Sequence, residues 1–117
     1  MNVRALKSFC RGFPGALCTR YGEPYNFLVY SVGNKKFAYF KTSAPERWRF
    51  SVRVDPDRFI ELTDIRGVKP ARYRGRYHWI TIVTVRSFPA PYLAELVRWS
   101  YDKALASLSQ KRRQSIR

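Results

Sequence analysis

A chain of 117 residues that is 45% hydrophobic and 16% aromatic suits one compact domain with its own core and excludes a second folded domain. Its 23 Lys and Arg face only 8 Asp and Glu, a formal charge of +15, which predicts attraction to nucleic acid, acidic lipid or an acidic protein but says nothing about the fold. Two cysteines and one histidine are too few for a four-ligand zinc site, and no apolar run is long enough for a secretory signal or a membrane span; we therefore expect a cytoplasmic protein without metal or other cofactor.

Asn2 is placed to cap a first helix, in which Val3, Leu6, Phe9 and Cys10 recur at three- and four-residue spacing and which Gly12 and Pro14-Gly15 end. Three strand-like runs follow, Asn26 to Val32, Lys36 to Phe40 and Arg47 to Val54. Between the first two, Gly33-Asn34-Lys35 carries residues that accept positive φ, the signature of a hairpin turn. In the third run, alternation puts Trp48, Phe50, Val52 and Val54 on a core face and Arg47, Arg49, Ser51 and Arg53 on the other, predicting a row of guanidinium groups in solvent.

Asp55-Pro56 supplies a helix cap and a first-turn proline. The helix they start is expected to run to about Asp64, with Phe59, Leu62 and Ile65 facing inward and Gly67 and Pro70 at its exit. Trp79 to Val85 is apolar and β-branched enough for a buried strand. Pro89-Ala90-Pro91 then opens a last helix whose apolar stripe is Leu93, Leu96, Val97, Tyr101, Ala104, Leu105 and Leu108. The order α-β-β-β-α-β-α, with at least one strand after the second helix, suits a two-layer α+β domain: an antiparallel sheet with helices packed on one face. We expect this domain to occupy residues 1–110 and residues 111–117 to be a basic tail that frays.

Catalytic chemistry finds little support. His78 is the only histidine, and nothing near Cys10 or Cys18 marks an activated thiol, so both are expected to be ordinary, partly buried thiols. Asp55, Asp57, Glu61 and Asp64 are accounted for by capping and by the exposed side of the second helix, and Gly12, Gly15 and Gly22 lack the spacing of a phosphate loop. We expect no enzyme; a pocket joining His78 to a cysteine or carboxylate would revive that reading.

The basic residues carry more. From Ile65 through Leu93 there is no acid, while Arg66, Lys69, Arg72, Arg74, Arg76 and Arg86 fall in that window. On an extended segment, Arg72, Arg74 and Arg76 would share one side and follow successive phosphates through paired hydrogen bonds. Arg47, Arg49, Lys35 and Lys36 are the further candidates. The alternative is a solvated loop whose tyrosines pack and whose arginines stay wet. Trp48, Trp79 and Trp99 are assigned to packing in preference to base stacking.

The helix end Phe13-Pro14-Gly15, the hairpin FLVYSVGNKKFAYF, the join SVRVDPDRFIEL, Val68-Lys69-Pro70, His78-Trp79 and the closing helix LAELVRWSYDKALASL occur in an order that resembles the MmcQ/YjbR family of small bacterial proteins, from about Asn2 to Arg113. The resemblance implies a CyaY-like α+β fold and a double-wing mode of DNA binding. The chain departs from the family's usual residues in having Gly75-Arg76 before His78, Ile80 after Trp79, and Arg86-Ser87 and Ala90-Pro91 where acidic residues are common. Together these features predict a monomeric, non-enzymatic protein that holds the phosphates of double-stranded DNA with weak sequence preference. The rival expectation is an adaptor that binds an acidic protein.

Overall fold

The computed structural model describes residues 1–44, 49–71 and 75–116, and for Arg76 the backbone alone. The elements are α1 (Val3–Arg11), β1 (Leu17–Tyr21), β2 (Phe27–Val32), β3 (Lys35–Lys41), β4 (Phe50–Arg53), α2 (Pro56–Thr63), β5 (Val68–Pro70), β6 (Trp79–Ile82), α3 (Ala90–Ala106) and α4 (Gln110–Ile116). Short 3₁₀ turns at Gly75–Tyr77 and Val85–Ser87 precede and follow β6. All six strands form one antiparallel sheet in the order β1-β2-β3-β4-β6-β5. The predicted α+β class and element order hold; β1, β5 and α4 are additions to them.

Local chemistry sets the helix starts. The Asn2 side chain accepts from the Ala5 amide at 2.8 Å, and Asp55 accepts from the Arg58 amide at 2.9 Å with Pro56 in the first turn, each satisfying an amide that has no intrahelical partner. The β2–β3 turn is two residues long, Gly33 and Asn34, both with positive φ, the pattern that matches strand twist in tight hairpins. Pairing shifts from Tyr30↔Ala38 to Ser31↔Lys36, so Phe37 is an extra residue in β3, and both Phe37 and Ala38 are buried.

The core lies between the sheet and the helices. Phe40, Phe50, Val52, Ile80 and Ile82 fill it from the strands, and Leu6, Leu62, Leu93, Leu96 and Val97 from α1, α2 and α3. The Ser100 hydroxyl donates to the Phe37 carbonyl at 2.6 Å and accepts from the Arg53 amide at 3.3 Å, pinning α3 across β3 and β4. Tyr101 donates to the Pro14 carbonyl at 2.6 Å and stacks on Phe13, so α3 also holds the loop after α1.

Four expectations are corrected. The second face of the sheet is not a row of guanidinium groups in water: Ser51 is 4% exposed and bonds Thr81 through their hydroxyls at 2.8 Å, and Arg49 and Arg53 are half-buried. Phe27, Val29, Tyr39 and Trp79 share that face by register, where Phe27 meets Tyr39 edge to ring and Tyr39 tilts against Trp79, which removes the contrast the alternation implied. Ile65 is exposed, because α2 ends at Thr63 and the chain turns away. The thiols differ, Cys10 being buried and Cys18 exposed on the edge strand β1. The segment expected to fray is helix α4, anchored by Ile116 against the core.

Candidate nucleic-acid interface

Charge is segregated by element. None of the six strands contains an acidic residue, and neither does α1 or α4, whereas Asp55, Asp57, Glu61, Asp64, Glu95 and Asp102 belong to α2, its caps and α3. Part of that acidity is spent internally: Arg58 binds Glu95 and lies 3.7 Å from Asp55, joining α2 to α3. The Glu95 hydrogen bond outweighs partial burial and holds the Arg58 guanidinium more firmly protonated than usual. The strands and the hairpin tip keep Arg20, Lys35, Lys36, Lys41, Arg53 and Lys69.

The sheet has two ends, and they divide the predicted contacts. Lys35 and Lys36 are exposed beside the Gly33-Asn34 turn, with the Lys36 ammonium 6.0 Å from the Tyr21 ring centre. The register carries that end across the sheet to Arg53, Trp79 and the 75–78 turn. Arg49 lies at the other end, where its carbonyl accepts from the Lys41 amide at 3.1 Å. Lys36 and Lys41 are five residues apart on β3, a separation of about 17 Å at strand rise. Arg49 therefore belongs to a different patch from the hairpin lysines. Arg47, Arg72 and Arg74, like Trp48, lie outside the described residues.

The backbone at Arg76 is not the extended one that would align its side chain with two others at every second residue. Gly75–Tyr77 is a 3₁₀ turn closed by the His78 amide on the Gly75 carbonyl at 2.9 Å. A Cβ on Gly75 would lie 2.9 Å from that of Pro70, so the turn is tight against β5. His78 adopts φ +67°, its carbonyl accepts from the Val54 amide at 2.9 Å, and its ring sits edge-on to Phe59 at 5.4 Å. It occupies the join between turn and strand as a packed residue.

The nucleophile and metal readings gain nothing. Burial pushes the Cys10 thiol up to about 12, far from a reactive thiolate. Burial and then Cys18 raise the pKa of Tyr30 above the ordinary phenol value. Among the described residues, no three His, Cys, Asp or Glu group to hold a metal ion, and no helix is long and apolar enough to cross a membrane. Two surface depressions, of about 440 and 480 Å³, lie near the Val83 loop and are lined by neither His78 nor a cysteine.

The residues that sequence reasoning missed are on α4. The Arg112 guanidinium donates to the Gly33 carbonyl at 2.9 Å, which brings α4, the element that carries Lys111, Arg112 and Arg113, to the turn that precedes Lys35 and Lys36. The only sequence signal for this was one apolar residue, Ile116, in an otherwise polar heptapeptide.

The YjbR family model matches residues 11–103. The chain belongs to the YjbR family. Among solved structures it is similar to the Deinococcus radiodurans protein DR2400, which carries a DUF419 domain, at 27% identity and a TM-score of 0.83 over 98% of this chain and 87% of that one. A protein from Pseudomonas syringae shares the fold at 16% identity and a TM-score of 0.68, over 89% of this chain and 99% of that one. No curated protein matches the sequence.

Proposed function

We propose that this YjbR-family chain is a non-enzymatic, cytoplasmic protein that binds the phosphate backbone of double-stranded DNA with weak sequence preference, through Lys35 and Lys36 at the hairpin tip and through Arg72, Arg74 and Arg76. The segregation of charge carries this reading. Six strands and two helices without an acid, in a chain of charge +15, make a surface that a polyanion neutralises and that repels further copies of the chain. Phosphate contacts fix position and leave sequence unread, in keeping with a cationic surface on strands and turns.

A salt titration of duplex binding tests it. Contact with about five phosphates gives a log–log slope of about −4 to −5, reduced when Arg72, Arg74 and Arg76 are replaced by alanine. Affinity that barely changes with salt would overturn the reading.

The edge strand favours a second reading, an adaptor for an acidic protein. β1 is exposed along all five residues, with Leu17 61% and Tyr21 44% exposed, and its free edge could accept an added acidic strand. A tight, 1:1 complex with an acidic protein, alongside no preference for duplex over heparin, would select it.

A further inference from the structure

We propose that α4 and the β2–β3 hairpin tip form one composite surface for nucleic-acid phosphates, in which Lys111, Arg112 and Arg113 join Lys35 and Lys36. This rests on the nucleic-acid reading above and extends it to an element that the family match, ending at residue 103, does not reach.

The helix is held at two glycines on different loops. At Gly33, φ is +53° and a Cβ would lie 2.6 Å from the Leu108 Cδ1; at Gly15, φ is +72° and a Cβ would lie 2.6 Å from the Ile116 Cγ2. A side chain at either position would be strained and crowded, and Leu108 and Ile116 close directly onto backbone, before and at the end of α4. The Arg112–Gly33 hydrogen bond completes the clamp. Arg112 remains exposed, and a guanidinium with one N–H committed keeps others to offer to an anion.

The segments that carry this cluster supply no acidic side chain. Lys35, Lys36, Lys111 and Arg112 are exposed and Arg113 half-buried, while Phe27 to Ala44 and Lys103 to Arg117 contain no acid. Seven residues of helix span about 10 Å, so together with the hairpin tip the cluster reaches more than one phosphate. Its partner chemistry follows from what it lacks. Among the described residues, neither the tip nor α4 exposes a large apolar side chain, because Leu108 and Ile116 are turned onto the fold. A helix without a free apolar face has nothing to insert into a bilayer, and the tip and the helix themselves supply no aromatic or aliphatic anchor of the kind that centres a protein interface; the exposed Tyr21 ring near Lys36 belongs to β1. Backbone phosphates need neither.

The test measures binding of a short DNA duplex across about 50 to 200 mM salt, where each phosphate left without its cation lowers the log–log slope by about 0.9. The variant Lys111→Gln, Arg112→Gln, Arg113→Gln is expected to lose up to about 2.7 in slope, so that the fall in affinity over that range shrinks by about 40-fold. Because removing Arg112 also opens the clamp, Lys111→Gln alone provides a variant that keeps it, with an expected loss of about 0.9. Circular dichroism checks the helix in each. A steep wild-type slope retained by both variants would overturn this inference and leave the broader reading standing; a flat wild-type slope would overturn both. Vesicles containing phosphatidylserine, or polyglutamate, bound more tightly than duplex and released by the Lys111→Gln change would assign the surface to lipid or acidic protein instead.

Discussion

The two faces of the sheet are both packed, but by different means. Beneath the helices, Phe40, Phe50, Val52, Ile80 and Ile82 are fully buried by side chains from α1, α2 and α3. On the opposite face Val29, Ser51 and Trp79 are also buried, and there strand residues meet one another: Phe27 against Tyr39, Tyr39 against Trp79, Ser51 against Thr81 and Lys41 over Phe27. Alternation within one strand therefore marks which residues share a face, but cross-strand partners decide whether that face is wet.

The strongest way to break this comparison is to truncate one large ring on each side. Phe50→Ala and Trp79→Ala should each cost about 3–5 kcal/mol in denaturant unfolding, the range for buried aromatic deletions. If the second face were ordinary surface, Trp79→Ala would cost less than about 0.5 kcal/mol, and the two faces would differ in kind. At the next level, Ser51→Ala should destabilise by about 1 kcal/mol by leaving Thr81 without its partner, whereas Ser51→Ala with Thr81→Val should return close to the wild-type stability. That cycle separates a specific hydrogen bond from general packing. The smallest expected effect is at the margin, where the Lys41 ammonium lies 4.5 Å from the Phe27 ring centre and donates to the Tyr25 carbonyl at 3.1 Å. Lys41→Ala should cost about 0.5–1 kcal/mol, and a null result would confine the second layer to its aromatic and Ser–Thr contacts.

What was legible in the sequence had a local physical signal. Asn2, Asp55-Pro56 and Pro89 mark helix starts because caps act within one turn, Gly33-Asn34 marks its hairpin because few residue pairs tolerate positive φ twice, and the stripe on α3 fixes its inner side. What was missed depends on partners distant in sequence. The strand Leu17–Tyr21 has no buried residue and exists through pairing with β2, while Val68–Pro70 is three residues with a proline, admissible because it is an edge. The Gln110–Ile116 helix is recruited by Gly15, Gly33 and one isoleucine. For the candidate site, composition announced the cations, and alternation assigned faces, but neither says at which end of a strand a residue lies. Arg49 was thus grouped with Lys35 and Lys36, although the antiparallel return of the chain carries it to the opposite end.

The position of α3 in the chain bears on how the protein is made. The strands β1 to β4 pair with their neighbours in sequence and can do so as they leave the ribosome, but their apolar face lacks the cover of α3 until residues 90–106 follow, when Ser100 can reach Phe37 and Arg53. A nascent chain halted before Ala90 would leave Phe40 and Phe50 unshielded by α3, an adhesive surface. Synthesis of this protein therefore passes through an interval in which chaperone capture and aggregation compete, and it ends when the seventeen residues of α3 settle onto the sheet.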